Sequence, residues 1–233
     1  MEPRKKFFVP VCLYPHTKYR TRDGLEALFE KYSFAENQHV MVVADRLLAL
    51  DRIVTGRYAL PKNVYLKARK EAEQVMKLIR RTAKSHGSAG NAQIYFWDEM
   101  ADREDYKTFS ARMLNEIENS EAFSGHINKF VDTRINRFGS NATPDRSRDA
   151  EYEYIVSEVM MSVFCTEQFG YSTEIWERPI PKDAPDPLRI LYADFPQLVE
   201  KVTGKPVERS LTFLFDEPAH SADLSDSEDK NLS

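Results

Sequence analysis

The sequence predicts an α/β fold in which helices flank a mainly parallel sheet. Two apolar runs, residues 7–13 and 40–44, are rich in β-branched and aromatic residues, which is typical of buried strands. Between them, residues 23–32 carry Leu25, Leu28 and Phe29 at helical spacing. A strand, a helix and a second strand in this order form a crossover unit, which joins parallel strands of one sheet.

The rest of the chain continues this alternation. A long helix is predicted at residues 64–85, where Pro61 or Asn63 can open it and Gly87 can end it. Further helices are predicted at residues 46–53, 98–119 (as one or two helices), 122–138, 143 to about 164, and 186–201. Further strands are predicted at residues 92–97, 173–176 and 210–215, and a loop at 179–187.

Length and composition favour one domain. The 233 residues, 42% of them hydrophobic, suffice for a single substantial core, predicted to span residues 1–215. Residues 216–233 are acidic and polar and offer almost nothing to bury, which predicts a disordered tail. No apolar run has the length of a signal peptide or a membrane span. We therefore expect a cytoplasmic protein with no membrane partner, and the oligomeric state stays open.

Charge and cysteine content narrow the possible functions. A net charge of −4 gives no overall attraction to nucleic acid, so any RNA contact needs a local basic patch. The two cysteines, Cys12 and Cys165, are too few for a disulfide framework or a zinc site and suit a reducing compartment. The motifs G-x-G-x-x-G, G-x-x-x-x-G-K-[ST], G-x-S-x-G and H-E-x-x-H do not occur. We expect no metal and no cofactor.

Cys12 lies where the first predicted strand ends. Ligands of open α/β sheets bind at that edge, and a thiolate there could attack an ester carbonyl. Either His16 or the helix that starts near Asp23 could lower the pKa of the thiol. Because cysteine is among the most frequently buried residues, a purely structural role is the alternative. Cys165 follows an apolar stretch and is expected in the core.

Tyr154 and Glu158 are one helical turn apart on a later helix, so their side chains share a face. A phenol and a carboxylate placed in this way could jointly hold one small polar group. The apolar run after Glu158 indicates that the helix is buried there, and a buried carboxylate needs a cationic or hydrogen-bonding partner, such as an ammonium ligand. A surface pair or a capped core tyrosine is the alternative.

The helix at residues 64–85 is the one segment with organised charge. Its apolar residues lie opposite a cationic sector, which would bind phosphates mainly through counterion release. Because Glu71 and Glu73 are also present, and Glu73 is four residues before Lys77, an ordinary solvated face is the alternative. The cations of this sector and its flank are Lys67, Lys70, Lys77, Arg80, Arg81 and Lys84, with Arg69 beside them.

Over roughly residues 7–180 the order of these features resembles the tRNA-dependent cyclodipeptide synthases. That family has one Rossmann-like domain, similar to class I tyrosyl- and tryptophanyl-tRNA synthetases, with a serine after the first strand, a basic helix for tRNA and a later Tyr-x-x-x-Glu pair. The matching positions are Cys12, the basic helix, and Tyr154 with Glu158. Two departures are the cysteine in place of serine and the lack of the family's Tyr-His pair within residues 173–180.

The resemblance implies an enzyme that joins two aminoacyl groups from aminoacyl-tRNAs by ping-pong acyl transfer through Cys12, with Tyr154 and Glu158 holding the ammonium. The divergence is similar to that of the fungal arginine-containing branch, which implies arginyl-tRNA as one partner. An arginine side chain would need a buried carboxylate. The candidates for this substrate pocket are Asp45, Glu174 and Glu177, with His16 beside them.

Two other classes of protein stay open on the sequence. One is a non-catalytic RNA-binding Rossmann-like module, in which the basic helix matters and Cys12 does not. The other is a cysteine-dependent acyl hydrolase or amidase that uses Cys12 with His16 on a small substrate, without RNA.

Overall fold

The computed structural model describes residues 4–13, 17–54, 61–138, 144–176, 186–207 and 212–215. Within these ranges the strands form one sheet in the order β3-β2-β1-β4-β5, and every neighbouring pair is parallel. The predicted parallel α/β fold is therefore confirmed. The strands are β1 (Lys6–Val11), β2 (Gln38–Val43), β3 (Ala92–Phe96), β4 (Thr173–Trp176) and β5 (Thr212–Phe215).

Helices cover both faces of the sheet. A short 3-10 helix, Lys18–Arg20, precedes the first of them. The α-helices are α1 (Arg22–Lys31), α2 (Asp45–Val54), α3 (Pro61–Ser85), α4 (Trp97–Ala101), α5 (Glu104–Asn119), α6 (Glu121–Phe138), α7 (Pro144–Phe169), α8 (Pro187–Asp194) and α9 (Pro196–Thr203). None of the helices in the described ranges is long and apolar enough to cross a bilayer.

Two predicted boundaries were wrong. Helix α7 continues past residue 164 to Phe169, and it ends only where Gly170 adopts a left-handed conformation at φ 60°. The helix predicted at residues 186–201 is two helices, because Pro196 has no backbone N–H to continue α8 and instead opens α9. The predicted tail, residues 216–233, lies outside the described residues.

Alternating side chains of β1 separate two hydrophobic layers. Phe7, Val9 and Val11 pack with α1 and α3, on what we call the α3 face. Phe8 points to the opposite side, the α7 face, where it stacks on Tyr171 with ring centroids 4.9 Å apart. The strands are buried on both faces, which is why their sequences read as continuous apolar runs.

Because the strands are parallel, their carboxyl ends meet at one edge of the sheet, the carboxyl edge. Cys12 directly follows β1, Asp45 lies just past β2, and Trp97 follows β3. The described residues that follow the strands thus gather three polar or aromatic groups at the edge where open α/β sheets bind ligands.

Gly24 provides a test of the packing beside the short 3-10 helix Lys18–Arg20. A Cβ at this position would lie 2.1 Å from the carbonyl oxygen of Lys18, which is backbone and cannot move aside alone. We expect Gly24→Ala to lower the free energy of unfolding by about 1–3 kcal/mol. The matched control is Gly125→Ala in α6, where nothing lies within 4 Å, and we expect a gain of roughly 0.5–1 kcal/mol. Urea denaturation measures both, and equal effects would contradict the close approach.

Candidate active site

The loop after β1 holds Cys12 through its backbone. Thr17 Oγ1 donates to the Cys12 carbonyl at 3.1 Å, and Arg20 Nη1 donates to the Leu13 carbonyl at 2.7 Å. The Cys12 side chain is partly exposed and forms no disulfide. By the alternation of a strand, Cys12 follows Phe8 and Pro10 onto the α7 face. Cys12 is therefore placed on the side of the sheet that α7 covers.

Arg20 is itself fixed by an ion-pair network. Its guanidinium lies 3.4 Å from Glu71 of α3, and the other oxygen of Glu71 accepts from Arg52 of α2 at 2.6 Å. All three side chains are largely shielded from water, so this network is screened less than a surface pair. The network ties the Cys12 loop to two helices.

Tyr154 and Glu158 are brought together on α7. Tyr154 is buried, and its phenol donates a hydrogen bond to the Glu158 carboxylate. Burial raises the pKa of Glu158 to about 8, against the attraction of Arg134 and the bond from Tyr154, which both lower it. The Arg134 guanidinium lies 4.8 Å from the centre of the Tyr154 ring and pairs with Glu151. The pair is thus a polar clamp inside an apolar layer.

Tyr154 and Cys12 lie at similar heights along the direction of the strands. Phe8 is paired with Glu174 across β1 and β4, and Ser162 of α7 donates to Glu174 at 2.6 Å, so these three residues share one level. From that level, β1 rises about 13 Å to Cys12. Helix α7 leads into β4 through residues 170–172 and so runs against the strands, rising about 12 Å from Ser162 to Tyr154.

Below the clamp lies a second group of buried acids. Glu174 is fully buried, and burial raises its pKa well above the usual value, against the hydrogen bond from Ser162. Burial also raises the pKa of Asp186 to about 6, against the bonds to the backbone of α8. Both Asp186 and Glu158 push the pKa of Glu174 further up, so the three carboxyl groups interact electrostatically.

The structure places the other predicted pocket residues differently. Asp45 is buried but already paired, since Arg69 Nη1 donates to it at 2.8 Å while its other oxygen accepts from the Arg46 backbone. Arg69 also lies over the Phe96 ring at 3.5 Å, so this predicted flank of the basic sector points inward. His16 and Glu177 lie outside the described residues.

The six predicted phosphate-binding cations of α3 are all exposed. The i,i+4 ion pair between Glu73 and Lys77, which would favour an ordinary solvated face, does not form. Five of the six cations form no ion pair with an acidic side chain among the residues that the structure describes. These five are Lys70, Lys77, Arg80, Arg81 and Lys84. These five side chains therefore present positive charge that no ion pair within the described ranges compensates.

Sequence reasoning missed three members of the site. Ser162 was detectable, because it continues the four-residue spacing of Tyr154 and Glu158 by one more turn. Arg134 reaches the clamp from α6, and Asp186 approaches from the start of α8. These long-range approaches leave no local pattern in the sequence.

No protein-family model and no curated protein matches the sequence. Solved structures do match the fold. A cyclodipeptide synthase from Fluoribacter dumoffii gives a TM-score of 0.68 at 17% identity, over 92% of this chain and 89% of that one. A Mycobacterium tuberculosis protein, reported to demonstrate that cyclodipeptide synthetases are related to type I tRNA synthetases, gives 0.66 at 17% identity, over 91% and 84%. A cyclodipeptide synthase from Candidatus Glomeribacter gigasporarum bound to Phe-tRNAPhe gives 0.61 at 13% identity, over 100% and 92%.

At these identities the likeness establishes the fold. The chain has a Rossmann-like α/β fold, as predicted. Within that class, its fold is similar to that of cyclodipeptide synthases over almost its whole length.

The buried acids predict how stability depends on pH. The folded state raises the pKa of Glu158 to about 8 and that of Asp186 to about 6, so folding favours their neutral forms. This contribution is complete below the ordinary carboxyl pKa near 4 and is lost as pH rises through 6 and 8. We expect the melting temperature to fall between pH 5 and pH 8.5, and Glu158→Gln to flatten the fall. Thermal scans at each pH measure both slopes, and parallel curves would contradict the raised pKa.

Proposed function

We propose that this protein is a tRNA-dependent cyclodipeptide synthase, an aminoacyltransferase that joins two aminoacyl groups into a diketopiperazine. The observation that carries the proposal is the Tyr154–Glu158 clamp, in which Tyr154 lies at about the height of Cys12 and Glu158 lies one helical turn lower, over the same face of the sheet. The fold is shared with solved cyclodipeptide synthases, one of which is bound to Phe-tRNAPhe, and this supports the same substrates here.

In the first step the sulfur of Cys12 attacks the carbonyl carbon of an aminoacyl-tRNA. A carbon–sulfur bond forms and the ester carbon–oxygen bond breaks, so the ribose oxygen leaves as a hydroxyl with the proton given up by the thiol. Tyr154 and Glu158 hold the ammonium of the aminoacyl group. Hydrogen bonds to the backbone carbonyls of Cys12 and Leu13 keep the proposed nucleophile in position, so no conformational entropy has to be lost at each turnover to order it.

In the second step the bound ammonium must lose a proton to become a nucleophile. Glu158 is the group in contact with it, and its pKa of about 8 is close to the ordinary α-amino pKa of about 8. Because the two values match, proton transfer between the ammonium and the carboxylate is nearly balanced. The free amine then attacks the ester of a second aminoacyl-tRNA, a peptide bond forms, and the second ribose hydroxyl leaves.

In the last step the amine of the second residue attacks the thioester carbonyl. The carbon–sulfur bond breaks, the ring closes as an amide, and the proton lost by the amine returns to the Cys12 thiol. A thioester reacts more readily with amines than an oxygen ester does, which makes cysteine a suitable substitute for serine. One of the two amino acids is proposed to be arginine, as the resemblance to the arginine-containing branch implies.

Replacing Cys12 tests the covalent intermediate. We expect Cys12→Ala to lower diketopiperazine formation from charged tRNAs by at least about 100-fold, because no acyl acceptor remains. In Glu158→Gln, which slows the second step, intact mass should show an aminoacyl adduct that Cys12→Ala lacks and Cys165→Ala retains. Full activity of Cys12→Ala would instead favour a non-catalytic RNA-binding module. Acyl hydrolysis that survives ribonuclease treatment would favour a cysteine hydrolase.

Charge reversal of the α3 face tests its contact with tRNA. We expect the triple variant Lys77→Glu, Arg80→Glu, Arg81→Glu to weaken tRNA binding at least about tenfold and to reduce the salt dependence of binding. The matched control reverses three exposed cations on α5 and α6, namely Lys107, Arg112 and Lys129. Filter binding at several salt concentrations measures both. Equal losses in the two variants would show a general charge effect and remove α3 from the interface.

A further inference from the structure

Two oxygens of buried carboxyl groups below the clamp have no hydrogen-bond partner among the described residues. One is Glu174 Oε1, on a side chain that is 0% exposed, and the other is Asp186 Oδ2, on a side chain that is almost fully buried. Their sister oxygens are used, since Glu174 Oε2 accepts from Ser162 and Asp186 Oδ1 accepts from the Leu188 backbone at 2.9 Å. Each carboxyl group is therefore fixed by one oxygen and leaves the other unpaired.

Glu174 forms no ion pair with another residue that the structure describes, whereas Asp186 is attracted by Arg189 of α8, which lowers its pKa. Burying an ionised carboxylate without a cation costs free energy, so such a group is either protonated or bound to a cationic partner. The Trp176 indole lowers the pKa of Glu174, yet Trp176 Nε1 and Glu174 Oε1 do not reach hydrogen-bond geometry. The position is thus polar and enclosed, and Glu174 has no cationic partner among the described residues.

The position of these acids relative to the clamp fits one long side chain. Glu158 lies one turn of α7 beyond Ser162, so Glu158 is about 6 Å above the level of Glu174, and Tyr154 is one turn higher. An extended arginine side chain spans roughly 6 Å from its α-carbon to its guanidinium carbon. If the aminoacyl group held at the clamp by its ammonium is arginyl, its guanidinium would therefore reach Glu174.

We propose that Glu174, with Asp186 beside it, binds the guanidinium of an arginyl group carried on Cys12 and so selects arginyl-tRNA as the first substrate. This inference rests on the proposed function and assigns the specificity of the same site. A guanidinium offers five donors in a planar fork, so one group can reach two carboxylates at once. A lysine ammonium would be a compact point charge with no such geometry, and an apolar side chain would leave both acids unpaired.

Asp45, the other described carboxylate that the sequence suggested for this role, is a poorer partner. Its two oxygens already accept hydrogen bonds from Arg69 and from the backbone of Arg46. It also lies past the end of β2, whereas Ser162 and Glu174 lie directly below the clamp. The two positions can be separated by matched amide variants.

The test measures product profiles with equal amounts of arginyl-, lysyl- and leucyl-tRNA. Glu174→Gln keeps the acceptor for Ser162 and removes only the charge, so the fold should persist. We expect it to lower the arginine-containing share of the products about tenfold or more, while arginine-free cyclic dipeptides persist or increase. Asp186→Asn should shift the profile in the same direction and carries the test if Glu174→Gln does not fold. The arginyl adduct on Cys12, seen by intact mass, should fall in parallel.

The outcomes separate this proposal from the proposed function. Cyclic dipeptides whose arginine share is unchanged in both variants would overturn the guanidinium site and leave the synthase intact. A shift produced by Asp45→Asn, with none from Glu174→Gln, would also overturn it. A wild-type protein that makes no cyclic dipeptide from any of the three tRNAs would instead remove the proposed function itself.

Discussion

The site depends on the cost of burying carboxyl groups between α7 and the sheet. Glu158, Glu174 and Asp186 all lose most of their hydration, and burial is the largest cause of the raised pKa in each case. Arg134 is the cation that opposes this shift at Glu158, and it is shared with Glu151. Such a layer is costly for the fold alone, because apolar residues of similar volume would pack there without penalty. The same cost makes the layer receptive to a positively charged ligand.

The loop that carries Cys12 is held in place by contacts other than the buried acids. Cys12 is held by hydrogen bonds to backbone carbonyls and by the Arg20–Glu71–Arg52 network, so its position does not depend on the buried acids. The network connects the α3 side of the molecule to a thiol that faces α7. A tRNA bound along the exposed face of α3 would therefore contact the same helix that fixes the Cys12 loop through Glu71. The tRNA and the proposed nucleophile would both be positioned by one rigid helix.

The sequence allowed much of the fold to be predicted, because strands buried on both faces leave continuous apolar runs and helices leave a 3.6-residue pattern. The clamp was predictable for the same reason, since Tyr154 and Glu158 are neighbours on one helix. The environment of Glu174 was not, because its hydrogen bond to Ser162 and its interaction with Asp186 join segments that only the tertiary structure brings together. The proline at position 196 is a signal for a helix break, but the apolar pattern continues on both sides of it and favoured a single helix.

The two groups that exchange a proton in the proposed second step have similar pKa values. An ordinary α-ammonium has a pKa of about 8, and burial brings the pKa of Glu158 to about 8 as well. A serine in place of Cys12 would have to be activated by a base, whereas a thiol is intrinsically the better nucleophile and depends less on such a base. The raised pKa of Glu158 then serves the second step, because a carboxylate with an ordinary pKa near 4 would hold the ammonium but would be too weak a base to accept its proton. Burial of Glu158 and the presence of cysteine are thus complementary, since each removes the need for a separate general base at this edge of the sheet.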